Sequence, residues 1–356
     1  MWVWGEAWRN IVSGTSRAVL NASLWVALVG TLALAEVLGT DQILRQAADF
    51  RAAGASVQVL SAAGLVSGAA CDRLNDLPGV GAAGALSLRQ DSVTLSALPK
   101  GPVAAFDVTD SLAALLPLTA DDGGAGVWVS SDVADGLGIR PGDSIASPTG
   151  DIRVRGVFAW PDDGRRRGFG YAMLIPRPDD HVFDECWLDA WPPVDNARAL
   201  LRATLVPHPA TAETNVTVAQ LNTSLGLRFD GQQRFDTRLT RFAPWAAAVA
   251  ALVLSLVALR LRRLELAAAR HAGMTGGQQF VQLLAETAWW LLWAVVLATG
   301  AVILAVEAGS GQAAGQVAGV GWLVVAHGAL GSVAGVVLGV WSVREEHLFR
   351  YFKMGR

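Results

Sequence analysis

The chain has 356 residues, 52% of them hydrophobic and only 17% charged, with 38 glycines, 14 tryptophans and a net charge of -3. This composition excludes collagenous, disordered and disulfide-stapled chains, and the slight negative charge argues against nucleic acid, whose phosphates call for an excess of lysine and arginine. A large soluble protein or a membrane protein remains, and the placement of charge decides between them.

At the start, Trp4, Trp8, Ile11 and Val12 recur at helical spacing beside Glu6, Arg9 and Asn10. The pattern predicts an amphipathic helix within residues 1–17, lying on the inner membrane surface. No charged side chain occurs between Arg17 and Glu36, or between Arg241 and Arg260. Glu286 and Glu307 bracket a third such run, and residues 308–343 form a fourth. About 20 apolar residues cross the hydrocarbon of a bilayer. Transmembrane helices are therefore expected at 18–38, 242–260, 286–307 and 318–341, with an outer loop at 308–317 that carries Gly309, Gly311 and Gly315. A soluble core would need four buried helices lacking any amphipathic face. Ala33-Leu34-Ala35 would suit signal-peptide cleavage, but the first span is expected to be retained.

Outside the long middle segment, the basic residues are Arg9, Arg17, Arg260, Arg262, Arg263, Arg270, Arg344, Arg350, Lys353 and Arg356. All fall on one side of the four spans, which the positive-inside rule makes cytoplasmic. Both termini are then inside, with a cytoplasmic tail at 342–356, and 39–241 forms one domain outside the plasma or inner membrane. Residues 41–241 hold 24 acidic and 18 basic side chains, so this domain is mildly acidic. Trp245 and Trp322 fall near outer span ends, and Trp289, Trp290 and Trp341 near inner ones, as an aromatic belt requires.

Within the middle segment, 56–60, 127–129 and 152–157 alternate like strands. Residues 72–77, 131–137 (with Ser131 as cap), 195–201 and 216–225 suggest short helices. A mixed α+β domain with short, scattered strands is expected. The five histidines are dispersed, and no His-x-x-x-His, Cys-x-x-Cys or Gly-x-Ser-x-Gly pattern occurs. His181, Asp184, Glu185 and Cys186 form the densest ligand-like group, which is best explained as a solvated loop, and no metal site is expected. Cys71 and Cys186 both lie in the outer domain, either bridged or as two buried thiols. Arg165-Arg166-Arg167, after Asp162 and Asp163, looks like a charged turn tip.

A Walker A loop needs Gly-Lys followed by Ser or Thr. Lys100 precedes Gly101 and Lys353 precedes Met354, so neither lysine qualifies. The chain is thus not expected to be an enzyme, and any nucleotide-driven work must come from a separate subunit. The segment 261–285 is the candidate docking surface. Residues 260–270 should continue the second span as a helix, ending at Gly273. Thr275 and Gln278 then fit a capping box, and Phe280, Val281, Leu283 and Leu284 lead into the third span. On the fourth span, Gly331, Gly335 and Gly339 share one face that permits close helix approach, with a subunit contact favoured over packing within one chain. Glu36 and Glu286 are taken as positional, near the interfaces.

The run from Arg263-Leu264-Glu265-Leu266 through Arg270-His271-Ala272-Gly273-Met274-Thr275 and Gln278 to Glu286 resembles the signature of FtsX/MacB-like (type VII) permeases of ABC transporters. Glu6-Ala7-Trp8-Arg9-Asn10-Ile11 is similar to the family's opening helix. Leu137-Gly138-Ile139-Arg140-Pro141-Gly142-Asp143, followed by Ile152-Arg153-Val154-Arg155-Gly156-Val157, is similar to the MacB-like periplasmic core. The resemblance implies an α-helical membrane protein with four transmembrane helices and a MacB-like extracytoplasmic domain between helices 1 and 2. It also implies two copies of an ABC ATPase holding ATP and Mg, a second permease copy or a related permease, contact with membrane lipids, and no cofactor in this chain. Coupling to the ATPase would fall on Glu265, Arg270, Gly273, Met274, Thr275, Gln278 and Gln279. The expected role is export or extraction of a peptide, lipid-linked or drug-like substrate by mechanotransmission. An FtsX-like signalling permease controlling a cell-wall hydrolase, and a membrane-anchored sensor without an ATPase, stay open as alternatives.

Overall fold

The computed structural model describes residues 2–207, 215–309, 311 and 314–342. The side chain of Trp4, His208, His347, the basic residues Arg344, Arg350, Lys353 and Arg356, and the tail beyond Ser342 lie outside the described residues. The chain divides into two compact units, residues 1–46 with 230–356, and residues 47–229.

Among the described residues, four helices are long and apolar enough to cross a membrane, Ala18–Ala52, Leu239–Leu261, Gly276–Gly309 and Ala314–Ser342, the first of them running on past residue 46 into the second unit. They are called spans one to four. Span one contains a π-helical turn at Val26–Gly30, which widens the helix locally beside the fully buried Trp25 and Val29. Trp25, Val29, Ala33 and Val37 pack with Ala247 and Ala251 of span two, Trp290, Ala294, Ala298 and Val302 of span three, and Val317, Val324 and Val325 of span four.

Span four lies at the centre of this packing because its glycines remove the side chains that would hold the other helices off. A Cβ added at Gly331 would stand 2.1 Å from the carbonyl oxygen of Ala248, and one at Gly335 2.6 Å from that of Leu252. At Gly339 it would meet Leu259 Cδ2 at 2.5 Å. The glycine stripe is therefore filled by span two of the same chain, which corrects the expectation of a subunit contact. Gly321 and Gly328 admit Val37 and Val29 of span one in the same way, at 2.7 Å. Trp25 Nε1 donates to Ser332 Oγ at 3.1 Å inside this core.

Among the described residues, the second unit is built on one connected sheet of eleven strands. They are β1 (Val57–Ser67), β2 (Val80–Leu88), β3 (Val93–Leu95), β4 (Leu98–Val108), β5 (Leu118–Asp121), β6 (Val127–Ser130), β7 (Ser144–Ser147), β8 (Gly150–Phe158), β9 (Ala172–Pro176), β10 (Val182–Ala190) and β11 (Thr217–Gln220). Their order is β11-β1-β10-β2-β4-β9-β6-β8-β5, with β3 beside β4 and β7 beside β8. The β4–β9 and β6–β8 pairs are parallel and the others antiparallel. The strands are joined in one sheet rather than scattered, and although β3, β5, β6, β7 and β11 are as short as expected, β1 and β4 run to eleven residues.

Val182 to Cys186 belong to strand β10, between β1 and β2, and not to a solvated loop, while His181 stays exposed just before the strand. Cys186 is bonded to Cys71, which settles the open alternative in favour of the bridge. Glu185 accepts from Arg166 Nη1 at 2.6 Å and from Trp187 Nε1 at 3.0 Å, while Asp184 accepts from the Gly64 amide. Among the described residues no group of three metal-ligating side chains gathers. Residues 216–225, expected as a helix, instead supply strand β11, because Val59 and Leu60 of β1 offer an unpaired edge. Ser131 is the first residue of its helix, and Ser130 occupies the cap position. The Arg165 to Arg167 turn does pair acid with base: Arg165 bonds Asp163 at 2.7 Å and reaches the Ala52 carbonyl at 3.0 Å. Yet Arg165 is buried rather than at a solvated tip.

The chain is an α-helical membrane protein with four transmembrane helices and a mixed α+β domain between the first and second.

Candidate functional site

The residues expected to couple to a partner gather where span two leads into span three. Span two stops at Leu261, and Arg262 leaves helical geometry with φ -103° and ψ 10°. A new helix then runs from Arg263 to His271. This corrects the expectation of one continuous helix through residue 270. The break has a cause: Arg262 turns inward, where its side chain is 12% exposed and donates to Glu286 at 2.6 Å and Glu265 at 3.2 Å. Burial would lower the Arg262 pKa, but the hydrogen bond and charge of Glu286 outweigh it and hold the guanidinium above its ordinary value.

The second helix ends in a Schellman turn. Gly273, at φ +97°, supplies the left-handed residue. The Met274 amide donates to Ala269 at 3.1 Å and the Gly273 amide to Arg270 at 2.9 Å. Thr275 and Gln278 then close a reciprocal capping box. The Gln278 amide donates to Thr275 Oγ1 at 3.3 Å, and the Thr275 amide donates to Gln278 Oε1 at 3.0 Å. The helix so capped is not a separate short piece. It runs unbroken from Gly276 to Gly309, 34 residues, and is span three itself.

Arg270 and Gln279 lock the turn from behind. Arg270 Nε donates to Gln279 Oε1 at 2.6 Å, and its Nη2 to the Val340 carbonyl of span four at 3.1 Å. Gln279, 1% exposed, returns a bond to the Leu266 carbonyl at 2.8 Å. These two residues are clamps rather than contact groups. Glu265, Gly273, Thr275 and Gln278 are exposed and Met274 is half-buried. Together with Glu6 and Asn10 of the N-terminal helix Trp2–Val12, five of the expected residues (Glu265, Gly273, Met274, Gln278 and Gln279) line a cavity of about 500 Å³. Thr275 stands at its edge through the capping bonds to Gln278.

Sequence reasoning missed the buried network beneath this cavity. Glu286, 3% exposed, accepts from Asn10 Nδ2 at 2.7 Å, from Arg262 and from Gln282 Nε2 at 3.2 Å. Trp8 meets Trp289 edge-on at 5.5 Å, which fixes the N-terminal helix to span three. A lone glutamate opening a 20-residue uncharged run was the available signal, because such a group needs a partner inside the membrane boundary.

No protein-family model matches this chain, and no curated protein does. Among solved structures, the periplasmic region of MacB from Actinobacillus actinomycetemcomitans is similar at 8% identity and a TM-score of 0.36, over 53% of this chain and 96% of that one. A domain of a protein described as a permease, from Porphyromonas gingivalis, is similar at 14% identity and a TM-score of 0.33, over 47% of this chain and 90% of that one.

Proposed function

We propose that the chain is the permease subunit of an ABC-type transporter, driven by two copies of a separate ABC ATPase and paired with a second permease copy or a related permease. In this reading the ten basic residues outside the middle segment keep both termini in the cytosol, and the mixed α+β domain stands on the outer side of the cell membrane. ATP and Mg belong to the partner, since neither Lys100 nor Lys353 has a Walker A context.

The observation that carries the reading is the element from Glu265 to Gln279. Its turn from His271 to Gln278 is exposed apart from the half-buried Met274, closed by a Schellman motif and a capping box, and continuous with a spanning helix of 34 residues. Such a turn suits a protein partner, because its backbone is already ordered and binding costs little further entropy. Pushed by that partner, span three can carry a rigid displacement through the bilayer. Span two serves less well as a lever, being interrupted at Arg262. The work done outside would be export or extraction of a peptide, lipid-linked or drug-like substrate by mechanical transmission.

Purification of the full chain from its native membrane in mild detergent tests this. An ATP-hydrolysing subunit should accompany it in equal amount and be lost with Met274→Asp, which puts a charge into the turn without touching the clamp. A complex without ATPase activity, or one indifferent to that substitution, would refute the assignment.

A further inference from the structure

Residues 47–229 hold a second cavity, of about 290 Å³, where β1 begins and β10 ends. That is room for about ten water-sized groups. Its floor is aromatic. Phe50 and Phe229 are nearly buried and lie 5.8 Å apart, and Trp191 packs on them at 6.1 and 5.9 Å. Val194 and Leu227 add apolar walls, with Leu227 78% exposed.

Two features of this cavity are unexplained by folding. Ser56, which lines it, is 9% exposed, yet its Oγ has no hydrogen-bond partner among the described residues. Buried hydroxyls are normally paired, and this Oγ is closed off from solvent, so a polar atom in the cavity bonds it as the Ser56 side chain turns toward it. At the rim, Arg198 and Arg228 form no ion pair or hydrogen bond among the described residues. Arg51, beside the same aromatic group, is by contrast engaged over Trp191 and by Asp189. Among the described residues Asp195 is the one acid lining the cavity, against the two arginines.

We infer that this cavity binds a small amphipathic carboxylate with a polar group in its apolar body, of the kind presented by an N-acylated apolar amino acid. The apolar part stacks on Phe50 and Phe229, Ser56 pairs with the amide, and Arg198 and Arg228 take the carboxylate. This site is separate from the turn at Gly273, and the inference stands whether or not an ATPase docks there.

The test uses the full chain in phosphatidylcholine nanodiscs, irradiated with the N-acetyl derivative of a diazirine analogue of leucine, and maps the adducts by mass spectrometry. Adducts should concentrate on residues 190–198 and 227–229. Excess N-acetyl-leucine should abolish them, and the uncharged N-acetyl-leucinamide should not. The double variant Arg198→Glu/Arg228→Glu should lower the yield about tenfold, the effect of losing charge-assisted hydrogen bonds. Both arginines are exposed, so the fold should survive, as retention of the Cys71–Cys186 bridge on a non-reducing gel would verify. Ser56→Ala should also weaken labelling. Adducts spread over the chain, equal competition by the amide, or no response to charge reversal would overturn the inference.

Discussion

Arg262 Nη1 stands 2.6 Å from Glu286 Oε2, with both side chains almost wholly removed from solvent. The pair joins the residue that interrupts the helix after span two to the first charged residue of span three, beneath the candidate docking turn. Breaking such a pair from one side leaves a buried charge unmatched, at about 3–5 kcal/mol. Glu286→Ala should therefore lower the melting temperature of the detergent-solubilised chain markedly. The double variant Arg262→Met/Glu286→Leu should recover most of that loss. An unchanged melting curve for Glu286→Ala would show that the pair is solvated and does not hold the spans.

The contact between spans two and four makes a sharper steric prediction. Gly331→Ala would drive a methyl group into the Ala248 carbonyl, whereas a Cβ at Gly319 on the same helix meets nothing within 4 Å. Overpacking of this kind costs about 1–3 kcal/mol. Thermal scanning should find Gly331→Ala destabilised and Gly319→Ala indistinguishable from the parent or slightly more stable. Equal effects at the two positions would contradict the packing described.

The bridge between Cys71 and Cys186 spans 115 residues of sequence, and both cysteines are fully buried. In the chain-entropy model, closing a loop of that length contributes about 4–5 kcal/mol. Cys71→Ser/Cys186→Ser should cut the stability of the mixed α+β domain accordingly, as read by protease resistance. Thiol labelling of the oxidised parent should need both reduction and denaturation. Rapid alkylation without reductant would contradict the bridge.

Asp72 gives a pH dependence whose sign is fixed. Burial raises its pKa above the ordinary value of 3.8, outweighing the hydrogen bonds from Ser111 and Thr109. The folded state thus holds this proton more tightly than the unfolded chain does, so stability falls as pH rises from about that ordinary value through the raised one. Above that window the penalty is constant. Asp72→Asn should raise the melting temperature at neutral pH, and the gain should shrink as pH approaches 4. A gain that grew towards acid would contradict it.

What could be foreseen from the sequence was local. Thr275 and Gln278 are three residues apart, so their reciprocal bonds depend on one turn of chain, and Gly273 marks the preceding stop for the same reason. The glycine stripe of span four showed that some helix must come close, but not which one, because Ala248 and Leu252 lie some eighty residues away. Strand β10 was hidden because Asp184, Glu185 and Asp189 look like a solvated segment until Arg166 and Gly64 are brought to them from a distance. Residues 216–225 open on Val216, Thr217 and Val218, β-branched residues that favour a strand, so the signal was in the sequence and was overlooked, and the edge of β1 completes the choice. The break at Arg262 was invisible, since its cause is Glu286, a full segment further on.

The turn at Gly273 and Met274 is the point on which the functional reading depends most directly. A photo-reactive benzoylphenylalanine in place of Met274, irradiated in intact cells, would report what touches it. The account predicts one dominant protein adduct, a nucleotide-binding subunit, formed at Met274 but not at the lipid-facing Leu292. Adducts to lipid alone, or to a protein outside the cytosol, would contradict it.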